Sequence, residues 1–160
     1  MLETSEVVNR LVFHEGLRLQ PYKCSKGKLT IGIGRCVETN PFTAEEKKVV
    51  GDWKHGISRE TAYYLLRNDI ERVKRECKKA FPFFDKLDDQ RQYALIDMTF
   101  QLGITGVKAF RKMIRAFAVG NYKEAAFQCL DSKYAKYDTP KRAKRIAHLI
   151  ETGEWVIWIE

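Results

Sequence analysis

Near the front of the chain one acid, Glu15, ends a helix and two polar groups, Cys24 and Thr30, follow on a hairpin, an arrangement that reads as an active site built on a general acid. Glu15 closes an amphipathic pattern and is followed by Gly16, the residue that most often ends a helix in the left-handed conformation. A carboxylate at that end meets the negative pole of the helix dipole. The encounter opposes ionisation by a few tenths to about 1 kcal/mol and favours the protonated form that a general acid needs. Downstream, Lys28 to Ile33 carries β-branched residues beside a Ser-Lys-Gly turn. Strand alternation there sets Lys28, Thr30 and Gly32 on one face, and Leu29, Ile31 and Ile33 on the other, so Thr30 faces away from the apolar side. Taken singly, each residue also suits a plain role: an exposed helix-end acid, a small turn residue, an ordinary strand threonine.

The elements that must position them follow from periodicity. A helix from Ser5 to His14, with Val7, Val8, Leu11 and Val12 at helical spacing and Thr4 or Ser5 as N-cap, delivers Glu15. Leu17 to Val37 reads as a small antiparallel hairpin system, too short to hold a core without covering elements. Asn40-Pro41 breaks the chain before a short helix from Thr43 to Val50, and 51–56 reads as a loop. Ser58 opens the longest pattern, where Ala62, Leu66, Ile70, Val73 and Cys77 form an apolar stripe that Pro82 stops. Its about 23 residues span roughly 34 Å.

Beyond Asp88 the chain reads as helical. Tyr93 to Leu102 is apolar almost all round, Gly103 and Gly106 bracket a turn, and Val107 to Val119 is a basic amphipathic helix closed by Gly120. Tyr122 to Leu130 is another helix. Thr139 caps a last one, from Lys141 to Glu151, with Pro140 at its first position and Gly153 after its end. Few strands in front and many helices behind predict an α+β protein, mainly α, as a single domain over residues 1–160. Its parts are a β-containing N-terminal lobe (about 14–57), a connecting helix (58–80), and a larger helical lobe (about 81–160) that takes in helix 4–13.

The intervals Glu15-x8-Cys24-x5-Thr30, with Glu-Gly-Leu-Arg-Leu and Thr-Ile-Gly-Ile-Gly around them, resemble the T-even-type phage lysozymes of glycoside hydrolase family 24, whose pattern is Glu-x8-Asp/Cys-x5-Thr. The likeness extends to Ala94–Val107, to Thr139-Pro-Lys-Arg-Ala-Lys-Arg145, and to the Thr-Gly-Glu-Trp ending at Trp155, and so covers almost the whole chain. It implies a lysozyme-like fold with the sugar-binding cleft between the lobes. It also implies hydrolysis of the β-1,4 bond between N-acetylmuramic acid and N-acetylglucosamine in peptidoglycan. In the matching roles Glu15 is the general acid, while Cys24 and Thr30 hold or activate the attacking water on the other face of the sugar, giving inversion. Inverting enzymes with two carboxylates leave about 6.5–9.5 Å between them for that water. A free thiol has a pKa of about 8.5, and Lys23, Lys26 and Lys28 are close enough in sequence to lower it, so Cys24 is expected to act partly as thiolate.

Further positions carry over onto the cleft wall as substrate contacts: Phe100, Gln101, Gln128, and Cys36 on the cleft side of the hairpin. Arg142 matches an arginine that approaches the catalytic glutamate from the other lobe. The chain departs from the common pattern at His14, where Asp is frequent, and at Arg35, where His is frequent. A disulfide between Cys24 and Cys36 would switch the enzyme off.

Composition bounds the alternatives. With 160 residues, 44% of them hydrophobic and 12% aromatic, the chain can bury a core. Twenty-nine basic against 21 acidic side chains give +8, which favours anionic partners: wall polymer, acidic membranes or nucleic acid. Lys133, Lys136, Lys141, Arg142, Lys144 and Arg145 make a basic C-terminal region that supports a nucleic-acid-binding alternative; a non-catalytic wall-binding module is a third. The expectation is peptidoglycan with no specific nucleic acid, as a monomer. Cys24, Cys36, Cys77 and Cys129 are widely spaced without Cys-x-x-Cys, so free thiols are expected, with no metal and no cofactor. The start lacks a basic, apolar export signal and no stretch approaches the roughly 20 apolar residues of a membrane span. The resemblance therefore implies accumulation in a host cytoplasm and access to the wall through a holin-type lesion.

Overall fold

The computed structural model describes residues 1–158. It divides into two compact units: residues 4–72, and residues 73 onward together with 1–3.

In the first unit, α1 (Thr4–Glu15) begins within the expected cap, so Thr4 lies in the first turn. Gly16 takes φ +76° and returns its N–H to the Val12 carbonyl at 2.8 Å, which fixes Glu15 as the last helical residue. The chain then enters an antiparallel sheet of β1 (Arg18–Lys23), β2 (Leu29–Gly32) and β3 (Arg35–Cys36), in that spatial order. Arg18 pairs with Gly32 and Tyr22 with Thr30, so β1 bulges between them. That irregular stretch includes Pro21, which has no N–H to donate and is tolerated on an edge strand. The alternation expected for β2 hides one thing: both its faces are covered. Ile31 is fully buried and Thr30, on the other face, is only 3% exposed.

α2 (Ala44–Val50) opens on a reciprocal cap, Glu46 N–H to Thr43 Oγ1 at 3.1 Å and Thr43 N–H to Glu46 Oε1 at 3.0 Å. The stretch 51–56, expected as loop, contains a 3-10 turn at Trp53–His55. α3 (Arg59–Ala80) starts where Ser58 Oγ accepts the Thr61 N–H at 3.1 Å, and its predicted stripe is buried from Ala62 to Cys77. Each large aliphatic on that stripe contributes about 1.5–3 kcal/mol by burial. The boundary between the units falls inside α3, after Arg72. α1, expected among the C-terminal helices, falls in the first unit, because its end packs on the β2–β3 turn described below.

In the second unit, α4 (Asp89–Lys108) is capped by Asp88 and carries the deepest residues, with Tyr93 to Met98 all at 0% exposure. The turn expected across Gly103 and Gly106 is confined to Gly103 (φ 78°, ψ 158°); helix resumes at once and runs to Lys108. The break before α5 (Arg111–Ala118) comes at Ala109–Phe110, so glycine marked a kink and not the boundary. α6 (Tyr122–Leu130) is followed by an unforeseen π-type turn at Tyr134–Asp138, then α7 (Pro140–Thr152). Thr139 precedes α7 as expected, but its hydroxyl caps nothing: it accepts from Gln101 Nε2 at 2.8 Å. At the other end of α7, Arg91 donates to the Ile150 and Glu151 carbonyls at 2.7 and 2.9 Å, satisfying acceptors that a helix end leaves open.

Candidate active site

Two residues lie near Glu15. Gly34, in the β2–β3 turn, lies so close that a methyl group there would sit 2.6 Å from Glu15 Oε1 and 2.9 Å from its Cδ. With φ at +69°, Gly34 is required both by its backbone and by the carboxyl beside it. Tyr22 is the other neighbour: burial raises its phenol pKa, and the charge of Glu15 raises it further. The guanidinium of Arg18 lies over the Tyr22 ring, 4.1 Å from its centre.

Tyr22 is also the cross-strand partner of Thr30, whose partner on the other side is Cys36. Cys24 comes two residues after Tyr22, in a turn closed by Cys24 N–H to the Lys28 carbonyl at 2.9 Å and Gly27 N–H to the Cys24 carbonyl at 2.8 Å. Burial raises the Cys24 pKa, but the backbone N–H groups of Lys28 and Lys26 and the Thr30 hydroxyl outweigh it, and the thiol is lowered overall. The expected agents were the lysine ammonium charges; the structure supplies main-chain dipoles and one hydroxyl instead. Thr30 Oγ1 stands 3.0 Å from the Lys28 carbonyl, so its single proton has two alternative acceptors, that carbonyl and the thiolate. Among the described residues no donor is bonded to its lone pairs.

Cys24 and Cys36 are both free thiols. They flank β2 from opposite sides, and two strand spacings amount to about 9.6 Å, beyond the roughly 7 Å over which Cα atoms can be bridged. A disulfide between them needs the sheet to open.

Residues 12–148 match the family described as phage lysozyme. That span takes in the Glu15–Cys24–Thr30 constellation and reaches into α7. The chain belongs to the phage lysozyme family. It is 29% identical to probable T4-type lysozyme 2 of Dictyostelium discoideum over 93% of this chain and 95% of that protein, and 29% identical to probable T4-type lysozyme 1 of the same organism over the same shares. It is 34% identical to the pre-baseplate central spike protein Gp5 of Enterobacteria phage T4, over 87% of this chain and 26% of that protein. The protein is thus a lysozyme-type glycoside hydrolase acting on peptidoglycan.

The other expected contacts of this phage lysozyme lie in the second unit. Phe100 and Gln101 are half-buried on α4, and Gln101 is bonded to Thr139 at the start of α7. Arg142 is buried, with its Nε on Asp97 Oδ1 at 2.9 Å, and Tyr93 donates to the other Asp97 oxygen at 2.7 Å. Gln128, on α6, donates to Glu124 one turn earlier at 2.8 Å. Sequence reasoning noted Arg35 only as a departure from the common pattern and did not foresee the contacts it makes. Arg35, one position after Gly34 and 4% exposed, holds Glu46 with two nitrogens (3.0 and 2.6 Å) and Asp69 (3.0 Å), and donates to the Asn40 and Pro41 carbonyls. One guanidinium thereby ties β3, the loop after it, α2 and α3 together. The signal was legible in Asp69, a charged residue one position from Ile70 on an otherwise apolar stripe.

Proposed function

We propose that this lysozyme cuts the β-1,4 bond between N-acetylmuramic acid and N-acetylglucosamine with inversion. Glu15 protonates the leaving oxygen, and a water held by Thr30 and Cys24 attacks the opposite face of the sugar ring. The observation that carries the reading is the Cys24–Thr30 pair: a thiol lowered by the hydroxyl that bonds to it and by main-chain N–H groups. An attacking water must hand its protons to acceptors so that its own lone pair faces the anomeric carbon. Thr30 Oγ1 and a Cys24 thiolate are both acceptors, and the thiolate takes the proton as the bond forms. Glu15, the last residue of α1, supplies the acid.

The family supports a role in host lysis, with synthesis in the cytoplasm, passage to the wall through a holin-type lesion and action as a monomer. The nucleic-acid alternative loses ground, because Arg142 and Arg145 are buried and Lys136 pairs with Asp131 at 2.8 Å, which breaks up the basic region it needs.

Digestion of purified peptidoglycan, followed by proton NMR of the first product, tests the chemistry. The expected product is the α-anomer, with Glu15→Gln inactive. A β-anomer overturns inversion, and activity retained by Glu15→Gln overturns the acid. Lysis timed in cells expressing the chain with and without a holin tests the route to the wall.

A further inference from the structure

The second unit contains a groove of about 670 Å³ between the Pro82–Lys86 segment and α5, a volume within the range of ligand sites. Its floor is apolar, formed by Pro82, Phe83, Ile114 and Ala118. The floor is also firm: the Phe83 ring stacks on Phe117 at 6.2 Å with only 8° between planes, and on Phe81 at 5.8 Å. Around it stand four cations, Lys86, Lys108, Arg111 and Arg115, and no acidic residue lines it. All four are exposed, and among the described residues none makes an ion pair or a side-chain hydrogen bond.

Unpaired cations around an apolar hollow are complementary to a ligand with a negative head and a hydrocarbon tail. Lysine and arginine stems lie along apolar surface while their heads reach outward, which is how basic side chains meet a lipid interface. Duplex or single-stranded nucleic acid would use the cations but leave the floor unfilled, and would want open aromatic faces for stacking; the one aromatic ring in the floor is already stacked on both Phe81 and Phe117. We propose that this groove docks the enzyme on an acidic phospholipid surface, the phosphate headgroups held by Lys86, Lys108, Arg111 and Arg115 and an acyl chain resting on Phe83 and Ile114.

Vesicle flotation tests it, with phosphatidylglycerol in a phosphatidylcholine matrix against phosphatidylcholine alone at near-physiological salt. The groove variant is Lys108→Glu/Arg111→Glu/Arg115→Glu. A control with the same charge change, Lys47→Glu/Lys48→Glu/Lys54→Glu, alters exposed lysines of the first unit. The native chain is expected to float with acidic vesicles only, and the groove variant to lose at least about tenfold in binding. The control should lose less than about threefold, and Ile114→Ser, with every charge intact, should weaken binding several-fold. Circular dichroism melting confirms that each variant folds, and release of soluble fragments from purified peptidoglycan should be unchanged in all of them. Equal loss in both triple variants would mean diffuse charge attraction and overturn the groove. So would full binding by Ile114→Ser, or a groove variant that loses binding to random DNA while keeping it to vesicles.

Discussion

Arg35 and Arg142 are both buried and both bonded to carboxylates, yet they serve opposite kinds of core. The first unit is a short sheet with α1, α2 and the first part of α3, and several of its chain segments are held by polar bonds that converge on one guanidinium. Arg35 faces two carboxylates and two carbonyls and lies 5.3 Å from the centre of the Phe42 ring. The second unit has a continuous apolar centre in α4, and its buried pair, Asp97 with Arg142, is set into a core that is already filled. In one unit the charges organise the fold. In the other the fold accommodates the charges.

The sharpest way to break that contrast is to remove each arginine. Arg35→Met leaves Glu46 with Asn68 and the Thr43 N–H and Asp69, among the described residues, with Arg72 alone at 3.5 Å, removes the bond that joins the two carboxylates, and is expected to destabilise by about 3–5 kcal/mol, the usual effect of breaking a buried pair from one side. Arg142→Met leaves Asp97 with the Tyr93 hydroxyl and with Arg145 near enough to feel its charge, so about 2–3 kcal/mol is expected. Denaturant unfolding of both variants gives the order. A larger loss at Arg142 would reverse the assignment of roles.

Gly34 and Gly120 sharpen the comparison at the level of activity. Both have positive φ, at 69° and 75°, so alanine strains either backbone by about 1–2 kcal/mol. Only at Gly34 does the new methyl meet the Glu15 carboxyl; at Gly120 it meets nothing within 4 Å. Both variants are expected to lose melting temperature, Gly34→Ala at least as much as Gly120→Ala, with wall hydrolysis reduced on the order of a hundredfold in Gly34→Ala alone, since a misplaced acid by about 1 Å is enough for that. Unchanged hydrolysis in Gly34→Ala would mean that Glu15 tolerates displacement.

Both of these contrasts rest on features of uneven visibility in the sequence. Glu15 at the end of α1, the buried stripe of α3, the ends of α6 and the Pro140 start of α7 follow from short-range patterns that act within a turn or two. Gly103 misled because glycine's freedom can end a helix or merely kink it, and packing of the residues beyond it decides which. The Arg35 cluster joins positions 11 and 34 residues apart, and only the folded chain brings them together. The Cys24 environment was misjudged for a related reason: the nearby lysines are evident in the sequence, whereas the direction of a backbone N–H is not.

The same cluster predicts an unusual pH response. Burial raises Asp69 from 3.8 to about 6 despite Arg35 and Arg72 beside it, while Glu46, also opposed by burial, is drawn from 4.5 down to about 2 by Arg35, Asn68 and the Thr43 N–H. Burial likewise opposes the charge on Arg35, but its bonds to Glu46 and Asp69 hold it protonated, so the ion pair settles on Glu46 and Asp69 is the carboxyl pushed toward neutrality. A raised carboxyl favours folding below about pH 4 and loses that contribution as pH climbs through 6; a depressed one contributes fully above 4.5 and loses it as pH falls toward 2. Native stability minus that of Asp69→Asn should therefore fall between pH 4 and 6, by at most about 3 kcal/mol, and stay level above that window. A difference that rises across it would place the negative charge on Asp69.

The four cysteines offer the mildest contrast, read by chemistry alone. Cys24 is lowered and partly exposed, and Cys36 is partly exposed; burial raises Cys77 to about 11 and Cys129 to about 12. Thiolate attack at neutral pH should make Cys24 react first with a disulfide reagent, Cys36 more slowly, and the two thiols of the second unit only on unfolding. Iodoacetamide at one equivalent should then abolish wall hydrolysis in step with Cys24 labelling, and Cys36→Ser should leave that course unchanged. Mild oxidation should give no Cys24–Cys36 bridge, because β2 stands between them. A bridge formed in the folded enzyme would show that the sheet opens on the time scale of oxidation, and the first unit would be the less fixed of the two despite its arginine.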